Sequence, residues 1–252
     1  MKELLKKQSA LFWIAAVFLG VILLMALVPQ LFTHYDPIGQ NMNELLQKPS
    51  ALHWFGTDNL GRDYWCQVWY ATQVSIRLAL IVAVGESILG VIIGLIWGYV
   101  RSLDRFFTEL YNLIDNVPYI IYMTLIALVV GQSFTIMAVS MIAIGWLVMA
   151  RRVRNMVFMF RDREYNLASR CLGTPLWRVL TKNILPYLVS VIILRMALSI
   201  PATINLESTL SYLGIGLAGV EIKDHIKYCF GWQWGVSIVC LVAGLILGVI
   251  HF

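Results

Sequence analysis

Long charge-free stretches set the rhythm of this chain. No Asp, Glu, Lys or Arg falls between Lys7 and Asp36, and Leu11 to Val28 is apolar almost throughout. A helix needs about 20 apolar residues to cross a hydrocarbon core of ~30 Å, so this run reads as a first span. A second runs from Leu78 to Tyr99, with Glu86 as its one charge. From Asn116 to Ala150 there is no charge at all, which is length enough for two spans with Gly131-Gln132-Ser133 as the hairpin between them. A fifth extends from Leu185 to Asn205, and a sixth apolar stretch from Val236 to Ile250. The predicted fold class is all-α, a polytopic membrane helix bundle of five spans plus that sixth stretch.

Composition agrees with the pattern. Of 252 residues, 60% are hydrophobic and 13% charged, with a mean hydropathy of +0.76. Soluble domains carry about 25% charge. A soluble enzyme, a disordered regulator and a free nucleic-acid-binding domain are excluded, and membrane lipid is the first partner. The net charge of +5 matters through its placement. Lys and Arg accumulate on the cytoplasmic side. A cytoplasmic N-terminus places Lys2, Lys6, Lys7, Arg101, Arg105, Arg151, Arg152, Arg154, Arg161, Arg163, Arg170, Arg178 and Lys182 inside. The loop from Thr33 to Gln73 is then external. No small-residue cleavage site follows the N-terminal lysines, so the first span is expected to stay as an anchor.

Candidate chemistry is sparse. Cys66, Cys171, Cys229 and Cys240 form no C-x-x-C pair, and His34, His53, His225 and His251 show no metal-ligand spacing. There is no phosphate-binding loop, nucleophile elbow or H-E-x-x-H. The chain is expected to be no enzyme, with no catalytic residue, metal or cofactor of its own. Energy must come from another chain or an ion gradient.

The densest basic segment, Arg151 to Lys182, has its own helical punctuation. Asp162 can cap a short helix through Arg170, and Gly173 suits the left-handed position that stops it. Thr174-Pro175 then reads as a fresh N-cap and first helical residue. Leu167, Ala168, Cys171 and Leu172 fall along one side, with Arg163, Asn166 and Arg170 on the other. Periodicity leaves two uses open: a helix lying on anionic headgroups, or a knob that fits a soluble partner.

Here the residues carry a resemblance. Glu164-Tyr165-Asn166-Leu167-Ala168-Ser169-Arg170-Cys171-Leu172-Gly173, followed by Ile184-Leu185-Pro186, resembles the EAA loop of ABC-transporter permeases. That loop reads Glu-Ala-Ala, three residues, Gly, then a hydrophobic-Leu-Pro. Leu167 stands where the motif has Glu, a residue peptide-type members commonly lack, and Ser169 replaces the second Ala. His53-Trp54-Phe55-Gly56-Thr57-Asp58-Asn59-Leu60-Gly61-Arg62-Asp63 resembles the FGTDxLGRD signature of the dipeptide, oligopeptide and nickel permeases, in their C-type second subunit. Ile204 to Gly216 resembles the same subunit's EaxLSFLGxG segment. The three motifs stand in the family's order and cover about residues 1–217.

The resemblance implies a permease subunit of a binding-protein-dependent importer of oligopeptides or dipeptides. Its implied partners are a homologous second permease, two ABC ATPase subunits that use ATP and magnesium, and an extracellular or periplasmic binding protein. Glu164, Leu167, Ala168, Ser169, Arg170 and Gly173 would couple to the ATPase. Phe55, Gly56, Thr57, Asp58, Gly61, Arg62 and Asp63 would form the external signature loop. The implied domains are an anchor and external loop over 1–74, a permease core over 75–217 with the coupling loop at 151–183, and a C-terminal segment over 218–252. The chain also departs from the family. Glu109 and Asn112 stand nine and six residues before Pro118, where members often carry Arg and Asp. After Leu217 the match fades, which reads as a truncated, frameshifted or divergent end.

Gly90, Gly94 and Gly98 recur every fourth residue on the second span, a face that lets helices approach closely. Glu86, Arg195 and Glu207 are ionisable at membrane depth or its edge, so they should face protein or water. They are the candidates for a translocation pathway, with Arg195 lining it or pairing with Glu86. A nickel importer of the same family, an ATPase-independent transporter or channel, and an assembly-only membrane protein are the rival readings.

Overall fold

Apolar length makes the helices here, and proline and glycine end them. The computed structural model describes residues 10–28, 35–36 and 39–217, and the predicted sixth stretch lies outside them. The helices are α1 (Ala10–Leu27), α2 (Tyr64–Tyr99), α3 (Arg101–Asp115), α4 (Tyr119–Val129), α5 (Phe134–Arg161), α6 (Glu164–Cys171) and α7 (Leu176–Tyr212). There is no strand among the described residues, only an isolated bridge between Thr57 and Asp63. The chain falls into two units, one holding the residues up to Ile76 and the other Arg77–Leu217. Among the described residues α2, α5 and α7 are long and apolar enough to cross a bilayer. The pair α3 and α4 gives a fourth candidate if it is one broken span, bent by 77°.

That bend falls at the start of the expected third span. Asn116-Val117-Pro118 interrupts the run, because Pro118 lacks an N–H and pushes the residue before it out of helical geometry. Pro118 is extended (φ −53°, ψ 130°) and caps α4, whose 11 residues reach only ~16 Å. What precedes it, read as a plain connection, is the amphipathic helix α3, none of whose residues is buried. The other boundaries widen. Helix α2 starts at Tyr64 rather than Leu78, and α5 continues past Ala150 to Arg161. The basic loop expected from Arg151 therefore begins only at Asp162. Helix α7 runs through the expected junction at Leu185 and Pro186 as one element of 37 residues.

The local caps shift as well. Asp162 does not cap α6: its carboxylate accepts from Arg161 Nε at 3.1 Å, and Arg163 holds the N-cap position without a side-chain capping bond. The arginine beside it claims the carboxylate, so the helix starts one residue later. Pro175, not Thr174, occupies the next N-cap, with ψ 146°. Gly173 behaves as the pattern requires. At φ +73° it closes a double turn in which its amide donates to Arg170 O at 2.9 Å and Thr174 N to Ser169 O at 3.0 Å. Gly214 (φ +77°) ends α7 in the same way, with Ile215 N donating to Leu210 O at 2.9 Å.

Two apolar clusters hold the second unit. One joins Leu78 and Val82 of α2 to Met123, Met137, Met141 and Leu210. The other joins Leu95 to Val153, Val157, Leu180, Ile184 and Leu188. Between them the glycine face of α2 lies against α5. A Cβ on Gly90 would stand 2.5 Å from Met149 Cβ, one on Gly94 2.6 Å from Ala150 O, and one on Gly98 2.6 Å from Val157 Cβ. Gly94→Leu should therefore lower the thermal unfolding midpoint in detergent, by an overpacking cost of about 1–3 kcal/mol. Val84→Leu, on an exposed face of the same helix, should leave it unchanged.

Candidate functional site

The segment Phe55–Asp63 is a folding device in which almost every residue has a visible task. Gly56 (φ +77°) and Gly61 (φ +72°) turn the chain where any Cβ would strike Gln47 O or Asn41 O. The Thr57 hydroxyl donates to Glu44 O and accepts from Gln47 N, the latter at 2.8 Å. Asp58 accepts from the Leu60 and Arg62 amides, both at 2.8 Å, from Arg62 Nε at 2.6 Å and from Gln67 Nε2 at 3.0 Å. Burial alone raises the pKa of Asp58. The Arg62 amide, Gln67, the Arg62 guanidinium and the Leu60 amide outweigh it and hold the group below its ordinary 3.8. Asp63 caps α2 by accepting from Cys66 N at 2.9 Å, and its other oxygen accepts from His53 Nδ1 at 2.8 Å. Phe55 packs edge-on to Trp65 at 5.1 Å.

The loop helix α6 turns its polar side inward. Asn166 is fully buried and donates to Phe160 O at 2.8 Å. Asn183 Nδ2 donates to Asn166 Oδ1 and to Ser169 Oγ, each at 3.1 Å. Arg170 Nε donates to the Tyr99 hydroxyl at 2.8 Å, with its guanidinium 4.6 Å from that ring. Glu164 opens the helix and is exposed, as is Ala168. Leu167, Leu172 and Trp177 are exposed at 44%, 85% and 63%. The apolar side chains of this segment thus face away from the rest of the unit.

Beside it, the end of α5 is fixed by charge and aromatic faces. Arg154 donates through Nε and Nη2 to the two oxygens of Asp104 at 2.8 and 2.7 Å, while Trp97 Nε1 donates to Asp104 Oδ1 at 2.9 Å. Arg161 Nη1 donates to Gly98 O at 3.1 Å.

Of the membrane-depth charges, two meet. Glu86 and Arg195 line one small cavity with Ser87, Gly145, Val148, Met149 and Ser199. Its volume of about 40 Å³ has room for water. Glu207 is elsewhere, 1% exposed, accepting from Ser211 Oγ at 2.7 Å and from Leu217 N at 3.4 Å. It braces the turn that ends α7.

Residues 90–252 match the family described as binding-protein-dependent transport system inner membrane component. The chain is 35% identical over 223 residues to the oligopeptide transport system permease protein AmiD of Streptococcus pneumoniae, covering 86% of this chain and 71% of the relative. It is 32% identical over 235 residues to the dipeptide transport system permease protein DppC of Bacillus subtilis, covering 90% and 73%. OppC of the same organism, an oligopeptide transport system permease protein, is 32% identical over 216 residues, covering 84% and 70%.

The chain belongs to the binding-protein-dependent inner membrane component family. It is a multi-pass protein of the cell membrane, and its family works with a substrate-binding protein and an ATPase.

In this permease the sequence reading missed Asn166 and Asn183. It set Asn166 beside Arg163 and Arg170 without saying which side meets protein, and no spacing signals that two asparagines 17 residues apart share a bond. Asp104, which ties α3 to Arg154, was also missed, although its place in an amphipathic period is a usable sign. The signature loop yields a prediction. Because the folded pKa of Asp58 is depressed, its stabilisation is complete above the unfolded value near 3.8 and fades as pH falls through the folded value. Relative to the intrinsic rate at each pH, protection from hydrogen exchange at the Leu60 and Arg62 amides should stay high at pH 5 and fall only below about 4. Asp58→Asn should make exchange faster at pH 7.

Proposed function

We propose that this chain is a permease subunit of an ABC importer for oligopeptides or dipeptides. On this reading it has its N-terminus in the cytoplasm, and the helices α1, α2, the α3–α4 pair, α5 and α7 are its spans. A homologous second permease, two ABC ATPases with ATP and magnesium, and an external binding protein complete the machine. Substrate choice follows from the relatives, whose names specify oligopeptides and dipeptides rather than nickel.

One observation carries the coupling role. The short helix α6 buries its asparagine and exposes Tyr165, Leu167 and Leu172, with Leu176 and Trp177 just beyond. Apolar side chains displayed beside a dense basic segment suit a cleft in a soluble protein. An interfacial helix would use its basic side for headgroups, yet here Arg170 is engaged with Tyr99 and Arg163 with Met159 O. Helix α7 supports the second-permease partner. Only 11% of its most apolar stretch is buried within the chain, against 39% for α2 and α5, so most of its surface awaits lipid or another subunit.

The chain's work is then mechanical. ATPase closure displaces α6 and changes the relative populations of inward-open and outward-open packings. Glu86 and Arg195, held at membrane depth on facing helices, would line the path. Co-purification tests the reading. Leu172→Glu should reduce capture of the ATPase subunits at least tenfold, while Leu52→Glu, also well exposed and in the external loop, should not change it. Uptake of tritiated trialanine should stop with vanadate. An ion-driven transporter would keep it.

A further inference from the structure

Pro186 stands just inside the last part of α7, where it offers no N–H and crowds the carbonyl four residues back, that of Lys182. The helix answers by widening. Val179–Ile184 is π-helical, with α-helical residues on both sides. Such a turn holds one residue more than an α turn, and these insertions concentrate at functional sites.

Two grips tie this turn to the loop helix. Asn183, inside it, uses both amide hydrogens on α6, one for Asn166 Oδ1 and one for Ser169 Oγ. One turn further, Tyr187 stacks on Phe160 with ring centroids 5.4 Å apart and lies 6.3 Å from the ring of Tyr165. Asn166 is itself pinned to the end of α5 through Phe160 O. Beyond these grips the same helix carries Arg195 and Ser199 to the cavity that holds Glu86.

We infer that Asn183 is the positioning residue that links α6 to the membrane cavity, and that the π turn around it is the hinge. The inference rests on the permease reading above. When α6 is displaced, Asn183 moves with it, because both of its hydrogen bonds end there. The π turn absorbs the displacement by exchanging bonds to the fifth residue for bonds to the fourth. Full conversion of the turn, which holds one extra residue, rotates the downstream helix once by roughly 100° and shifts it by about 1.5 Å. Arg195 and Ser199 then move past Glu86, and the cavity changes shape. A continuous α-helix has no spare residue to exchange. Here the proline supplies one, next to the point where force arrives.

The test uses the complete importer in proteoliposomes, with native cysteines removed and Ser199→Cys as a reporter in the cavity. Its modification by a charged methanethiosulfonate is timed without nucleotide and after vanadate trapping. The rate should differ at least fivefold between the two states. With Asn183→Ala added, ATPase capture and hydrolysis should stay within twofold of the parent, while the rate difference falls below twofold. Deletion of Thr181, which removes the extra residue of the turn, should have the same effect, and Asn183→Gln should restore at least half of the response. A full fivefold response in both Asn183→Ala and the Thr181 deletion overturns the proposal. So does a proportional loss of capture, hydrolysis and response, which would make Asn183 a structural support only. A parent protein that captures no ATPase overturns the permease reading, and the hinge with it.

Discussion

The close approach of α2 to α5 is the constraint from which the rest of the second unit follows. In lipid, tails and side chains are equally apolar, so helices associate through contact rather than through expulsion of water. Gly85, Gly90, Gly94 and Gly98 clear most of the α2 face toward α5, and Ile142, Met149, Ala150 and Val157 fill the space. Everything near that seam inherits its spacing. Leu95 reaches Val153 and Val157, the Gly98 carbonyl comes within range of Arg161, and Tyr99 meets Arg170. Were the helices a methylene further apart, these bonds would be lost together.

The arginines at the end of α5 are also packing residues. Arg151 lies 4.1 Å above the Tyr111 ring, Arg154 4.0 Å and Arg161 4.2 Å from the Phe158 ring. A guanidinium combines a flat apolar face with directional donors, so one side chain can stack and bond at once. This explains why α5 remains helical well past the charge-free region. Its last turns are clamped to α3 by Asp104 and to α2 by the Gly98 carbonyl. The basic end of a membrane helix is here part of the folded body.

Sequence pattern revealed the helical class, the glycine face and Gly173, because each depends on local length, spacing or backbone conformation. It misjudged Pro186, through which a helix continues, whereas Pro118 closes one run and opens the next. The same missing N–H allows both outcomes, and neighbouring packing decides between them. The signature from Phe55 to Asp63 was visible as a motif, but its task was not. Its bonds to Asn41, Glu44 and Gln47 depend on a fold-back that no spacing announces. The burial of Asn166 was hidden for a related reason. An amphipathic wheel identifies two faces but not which one meets protein.

At Gly145 a Cβ would fall on the carboxylate of Glu86. The missing side chain on α5 therefore decides where the Glu86 carboxyl group of α2 sits. A single methyl at 145 would evict that carboxylate and alter the field felt by Arg195, without touching any ionisable residue. At this crossing, steric and electrostatic information are interchangeable. The helix that bears no charge in the cavity sets the cavity's polarity.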